Sequence, residues 1–141
     1  MKRLVVLGAL ALALGAPSQP AAEPESEAAA IKATVLQQAR LQNEGRFRAM
    51  YALFTPTFHA NCPFARFVQI VRANRRAWGV GFRVENIRVR FQSPTSALVA
   101  SRFVRRNGRT IGVATFRTGD VYVKIGPQWY DEYDRVTHCR G

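Results

Sequence analysis

The sequence predicts an α+β fold in which three N-terminal helices pack on a strongly curved antiparallel sheet of four to five strands. Apolar residues recur at helical spacing as far as Gly79, and beyond it they alternate with polar residues, as strands do. The dipeptide Asn107-Gly108 lies between two of these alternating stretches and is typical of a tight hairpin. Helices that precede such a meander usually cover one of its faces.

The first residues resemble a secretory signal peptide. A basic start is followed by a short apolar run over residues 4–16 and by small residues that allow cleavage after Ala16 or Ala22. The run is short for a membrane span, although an uncleaved N-terminal anchor is the alternative. We therefore expect residues 1–22 to be removed and the protein to be secreted, or to reside in the periplasm or cell envelope.

The helices follow a short lead-in. Residues 23–29 are rich in alanine, proline and glutamate without apolar periodicity, which predicts a disordered lead-in to a single domain over residues 30–141. Helices are predicted over 30–45, 46–54 and 61–79. Glycine closes the first and third of them, and a Thr-Pro pair closes the second.

The strands are predicted from period-two alternation and from the turn signals between them. Their ranges are 81–91, 96–106, 110–117, 121–125 and 129–136. The phase of alternation slips at Glu85-Asn86, which indicates a β-bulge that bends the sheet.

Two cysteines lie in "HANCPFARF" (59–67) and "VTHCR" (136–140). In an exported chain with only two cysteines, Cys62 and Cys139 are expected to form a disulfide. A nucleophilic Cys62 beside His59 is less favoured because no orienting residue can be assigned. A zinc site that includes His138 is also disfavoured, because neighbouring residues of an extended segment point to opposite sides. We expect neither a metal nor a cofactor.

Three stretches resemble the nuclear transport factor 2-like superfamily, which includes SnoaL-like cyclases and ketosteroid isomerases. They are "EGRFRAMYALFTPTF" (44–58), "CPFARFVQIVR" (62–72) and "QWYDEYD" (128–134), and the resemblance extends over residues 30–141. It implies a cone with a pocket between the helices and the concave sheet. It also implies a homodimer through the open sheet face, although arginines at alternating strand positions oppose burial of that face.

The resemblance places aromatic residues inside the cone. The candidate pocket residues are Tyr51, Phe54, Phe58, Phe67, Trp78, Tyr122 and Trp129. The alternative is that these side chains fill the cone as an ordinary core. An open pocket would suit a small apolar ligand.

Catalysis has weaker support. Isomerases of the superfamily use a carboxylate base near the start of the sheet, but no aspartate or glutamate occurs between Glu44 and Glu85. The remaining candidates are Asp131 or Asp134 as the base, Tyr51 as the hydrogen-bond donor to an oxyanion, and His59. The segment "DEYD" is better interpreted as a solvated strand end. The preferred function is an exported, non-catalytic ligand-binding or interaction module, and the alternative is a lyase or isomerase that acts on a small apolar substrate.

The chain is strongly basic, with a formal net charge of +12. The predicted basic surface consists of Arg72, Arg75, Arg76, Arg88, Arg90, Arg105, Arg106 and Arg109. Such a field attracts anionic cell-envelope polymers or a membrane surface, unless the arginines only keep the surface solvated. Nucleic acid is disfavoured as a partner because the aromatic residues occupy predicted core faces.

Overall fold

The computed structural model describes residues 23–133 together with Gly15, Pro20 and Cys139. The rest of the predicted signal peptide lies outside the described residues.

Four helices precede the sheet: α1 (Pro24–Glu44), α2 (Phe47–Tyr51), α3 (Pro56–Asn61) and α4 (Phe64–Trp78). Three helices were predicted, and the additional one is the short α3. Its first turn is capped by the Thr55 side chain, which accepts a hydrogen bond from the Phe58 backbone N–H at 3.1 Å. The Thr-Pro pair that was predicted to end one helix thus also begins the next.

Helix α1 begins at Pro24, so the predicted disordered lead-in at 23–29 is wrong for residues 24–29. The physical reason is a set of tertiary contacts. Glu27 accepts hydrogen bonds from the Lys124 ammonium group and from the indole N–H of Trp129, two residues that lie far along the chain. These contacts hold the first turns of α1 against the sheet, and local composition carries no sign of them.

The five strands are β1 (Arg83–Ser93), β2 (Ser96–Val104), β3 (Thr110–Ala114), β4 (Val121–Ile125) and β5 (Gln128–Tyr133). The sheet is antiparallel with the order β1-β2-β4-β5, and β3 also pairs with β2. Residues 101–104 of β2 pair with β3, whereas residues 96–98 pair with β4. The predicted simple meander is therefore wrong, because β3 and β4 share the same edge of one long strand.

The bulge predicted in β1 is present. The register with β2 shifts between Glu85 and Arg88, and Asn86 has a positive φ of 52°. An extra residue at this point bends the strand and increases its twist, which curves the sheet around the helices.

The core forms two clusters. The cavity cluster contains Ile31, Val35, Phe82, Val84, Ala97, Val99, Tyr122 and Trp129. The disulfide cluster contains Leu41, Met50, Leu53, Phe54, Phe58, Cys62, Phe67 and Val71. Helices on one side of an antiparallel sheet confirm the predicted α+β class. Among the described residues, no helix combines the length and apolarity needed to cross a membrane.

Candidate functional site

A cavity of about 60 Å³ lies between α1, α4 and the concave face of the sheet. Most of its lining is apolar, but four of its side chains are polar and buried: Gln38, Gln42, Ser101 and Asp131. Buried polar groups are costly unless they are hydrogen-bonded, so their partners define what the cavity can bind.

Three of the polar side chains around the cavity form a chain. The Gln38 amide donates a hydrogen bond to Asp131 Oδ2 at 3.1 Å, and the Tyr122 hydroxyl donates to Gln38 Oε1 at 2.6 Å. A carboxylate only accepts, so this network fixes the orientation of the Gln38 amide. It also connects α1 to β4 and β5 across the interior of the cone.

Asp131 is held by its backbone as well as by its side chain. Its N–H donates to the Leu53 carbonyl at 2.9 Å, and its own carbonyl accepts from the Thr55 N–H at 2.9 Å. The linker between α2 and α3 thus pairs with β5. Asp131 is only 1% exposed, so the interpretation of "DEYD" as a solvated strand end is wrong at this residue. The Gln38 amide makes its burial tolerable, and the sequence does not reveal that partner.

Gln42 lies one helical turn beyond Gln38 and therefore on the same face of α1. It is 3% exposed, and its amide nitrogen Nε2 has no hydrogen-bond partner among the described residues. A buried donor without an acceptor costs about 1–3 kcal/mol. The cavity thus has a hydrogen-bond donor available to a bound molecule.

Only some of the predicted pocket residues line the cavity. They are Phe54, which belongs to the disulfide cluster, together with Trp78 and Tyr122. The other four do not line it: Tyr51, Phe58 and Phe67 pack together near the disulfide, and Trp129 fills the core beside Glu27.

Tyr51 and His59 lie beside the disulfide. The Tyr51 hydroxyl donates to the Cys62 carbonyl at 2.7 Å, and the two rings stack with centroids 4.0 Å apart. His59 Nε2 lies 2.7 Å from the Tyr51 carbonyl oxygen. Burial raises the pKa of Tyr51 above its ordinary value. Neither residue lines the cavity with Asp131. The hydroxyl that is linked to this carboxylate, through the Gln38 amide, is that of Tyr122.

Cys62 and Cys139 form the predicted disulfide, with their Cα atoms 5.4 Å apart. This excludes a nucleophilic role for Cys62, because its sulfur is already bonded. In the described part of the chain, no three metal-ligating side chains come together. The weak candidate Asp134, and His138 of the alternative zinc site, lie outside the described residues.

Sequence reasoning missed the glutamines. Gln38 and Gln42 occur at the spacing of Ile31 and Val35, the buried apolar positions of the same helix. A polar residue on the apolar stripe of a helix is the signal that could have identified them.

The arginines of the predicted basic surface lie in different parts of the molecule. Arg72, Arg75 and Arg76 line a groove at the end of α4. Arg88 and Arg90 instead lie over the ring of Phe116, with guanidinium-to-centroid distances of 5.4 and 4.6 Å.

No family model matches the chain, and no curated protein matches it. Among solved structures, a "Putative Scytalone Dehydratase" from Novosphingobium aromaticivorans DSM 12444 is similar, with a TM-score of 0.45 and 18% sequence identity. The match covers 77% of this chain and 80% of the other. It is a distant likeness.

Proposed function

We propose that the protein binds a small, mostly apolar molecule with a carbonyl or similar acceptor group in the cavity of the cone. The observation that carries this proposal is the buried Gln42 amide, whose Nε2 has no partner among the described residues. A ligand carbonyl there would accept the hydrogen bond and remove the cost of an unpaired donor. The apolar lining would surround the rest of the molecule.

The size of the cavity limits what enters without movement. About 60 Å³ accommodates only a few water molecules. Trp78 and Phe103, both half-buried, line the cavity with ring centroids 5.4 Å apart. A ring-sized ligand enters when these two side chains turn aside.

A matched pair of probes tests the proposal. Cyclopentanone has the acceptor, and methylenecyclopentane has the same shape without it. We expect the wild type to bind the ketone about tenfold more tightly, as a buried hydrogen bond of roughly 1.4 kcal/mol would give. Gln42→Leu should abolish this preference, and Tyr51→Phe, beside the disulfide, should retain it. Equal affinities for both probes in the wild type would contradict the proposal.

Asp131 favours a second candidate, a lyase or isomerase. Its carboxylate lines the same cavity as Gln42 and is almost fully buried, which supports a role as a base for a carbonyl compound bound there. The base would take a proton from the carbon next to the carbonyl, and Gln42 would donate to the resulting enolate oxygen.

Proton exchange tests this second function separately from binding. In heavy water, the wild type should speed deuterium incorporation next to the carbonyl of cyclopentanone, and Asp131→Asn should not. Binding without any acceleration of exchange would leave the ligand-binding function and exclude catalysis on this ketone.

A further inference from the structure

The end of the molecule where α4 meets β1 combines positive charge with an exposed apolar tip. We propose that this end docks on an anionic phospholipid surface. Arginines around the tip would bind the headgroup phosphates, and Val80 would enter the interface. We call the six arginines the arginine face; they are Arg72, Arg75, Arg76, Arg83, Arg105 and Arg106.

The tip is the short loop Gly79-Val80-Gly81. Both glycines have φ of 86°, a conformation that side chains disfavour, and Val80 between them is 60% exposed. Asn43 fixes the loop: its Oδ1 accepts from the Gly81 N–H and its Nδ2 donates to the Phe82 carbonyl, both at 2.9 Å. The loop is therefore held with Val80 facing solvent.

A groove of about 620 Å³ lies beside this tip. Arg72, Arg75 and Arg76 line it together with Phe47 and Val80, and Glu44 is the one acidic residue in its lining. Arg75 donates from Nη2 to the Asn43 carbonyl at 3.2 Å, which holds its guanidinium group in the wall of the groove. Guanidinium groups suit phosphate oxygens, which can accept from two N–H groups of the same fork.

The β2–β3 hairpin brings the other arginines to the same end. Arg105 Nη2 donates to the Ala77 carbonyl at 2.8 Å, near the end of α4. The Arg106 side chain lies so close to Gly81 that a Cβ there would be 3.4 Å from Arg106 Cδ. Arg83 Nη1 donates to the Arg106 carbonyl at 3.4 Å, and its Nη2 forms a salt bridge with Glu85 at 3.2 Å. These contacts place the arginines around one tip, where the other five arginines of the face supply most of the positive charge.

The exposed valine favours a membrane over a soluble polyanion. A charged polymer gains nothing from an apolar side chain at the centre of the basic face. A bilayer interface gains both from burial of the apolar tip and from attraction between arginines and anionic headgroups.

Vesicle sedimentation at constant ionic strength tests the proposal. The exported protein, after the expected removal of residues 1–22, should bind vesicles of phosphatidylglycerol in phosphatidylcholine, but not vesicles of phosphatidylcholine alone. Each basic residue near an anionic surface contributes about fivefold, so R72Q/R76Q should weaken binding at least tenfold. The control R88Q/R90Q removes the same charge elsewhere and should weaken binding by less than about threefold. Equal losses in the two double variants would overturn the proposal, because total charge would then account for binding.

Two further measurements distinguish a lipid surface from a soluble polyphosphate or a small phosphate ion as the ligand. Val80→Ser should weaken vesicle binding about threefold through lost apolar burial, and should leave binding to soluble polyphosphate unchanged. Vesicle binding that does not respond to Val80→Ser, with polyphosphate bound at least as tightly, would overturn the membrane assignment in favour of a soluble polymer. Displacement from vesicles by inorganic phosphate, but not by chloride at the same ionic strength, would overturn it in favour of a small-anion site.

Discussion

The two core clusters of the cone differ in how completely their polar atoms are satisfied. In the disulfide cluster, aromatic rings pack at short range, with the Phe54 and Phe58 centroids 4.3 Å apart. The nearby Tyr51 hydroxyl and His59 ring nitrogen both contact backbone carbonyl oxygens. The cavity cluster adjoins empty space and the unpartnered Gln42 amide. One end therefore contributes stability, whereas the other loses some stability because a buried donor is left unpaired.

Among the changes that test this contrast, removal of the disulfide should have the largest effect on the free energy of unfolding. The bridge joins residues 77 apart in sequence, and the chain-entropy model assigns such a crosslink about 4–5 kcal/mol. We expect the Cys62→Ser, Cys139→Ser double variant to lose roughly that much free energy of unfolding, measured by denaturant titration. The wild type under reducing conditions should behave in the same way. A loss below about 1 kcal/mol would mean that the aromatic packing holds this end without the bridge.

The substitution Gln42→Leu should change stability in the opposite direction. It removes a buried donor without an acceptor and places an apolar side chain against the cavity, so we expect the free energy of unfolding to rise by about 1–2 kcal/mol. Gln37→Leu is the matched control because Gln37 is an exposed neighbour on the same helix. Its effect should stay within about 0.5 kcal/mol. A destabilised Gln42→Leu variant would show that the amide is satisfied in solution.

The smallest expected effect is a pH dependence at Glu27, where α1 meets the sheet. Hydrogen bonds from Lys124 and Trp129 hold the pKa of Glu27 below its ordinary value of 4.5. A carboxylate whose pKa is lowered by folding stabilises the native state above its unfolded pKa. This stabilisation is lost as the pH falls through the lower, folded value.

The substitution Glu27→Gln should therefore destabilise the protein at neutral pH and bring its stability closer to that of the wild type below pH 4.5. Unfolding followed by tryptophan fluorescence across this pH range measures the difference. The control Glu25→Gln, exposed on the same helix, should show no such convergence. A difference between Glu27→Gln and wild type that is independent of pH would contradict the proposed role of these hydrogen bonds.

Local patterns predicted much of the fold. Three features depend only on residues that are near one another in sequence: the apolar stripe of α4, the alternation of β4 and the phase slip at Glu85-Asn86. The helix, the strand and the β-bulge that they predicted are all present. Features that depend on distant partners were missed. The start of α1 depends on Glu27 contacts with Lys124 and Trp129, and the pairing of β3 and β4 with one strand depends on the length of β2.

The candidate site was predicted less well than the fold. Aromatic side chains could be assigned to the interior, but the sequence could not show which end of the cone they occupy. Asp131 looked solvated because its neighbours are charged, and its burial depends on Gln38, 93 residues away in sequence. Such a pair becomes visible only when the helix lies against the sheet.

The most direct test of the contrast between the two clusters is an NMR titration of the backbone amides with cyclopentanone. If the cavity is the binding site, chemical-shift changes should be confined to its surroundings, with Gln38, Gln42 and Val99 among the affected residues. The amides of Phe58 and Phe67, in the disulfide cluster, should not shift. Shifts centred on the disulfide cluster, or no saturable shifts at the cavity, would contradict the account.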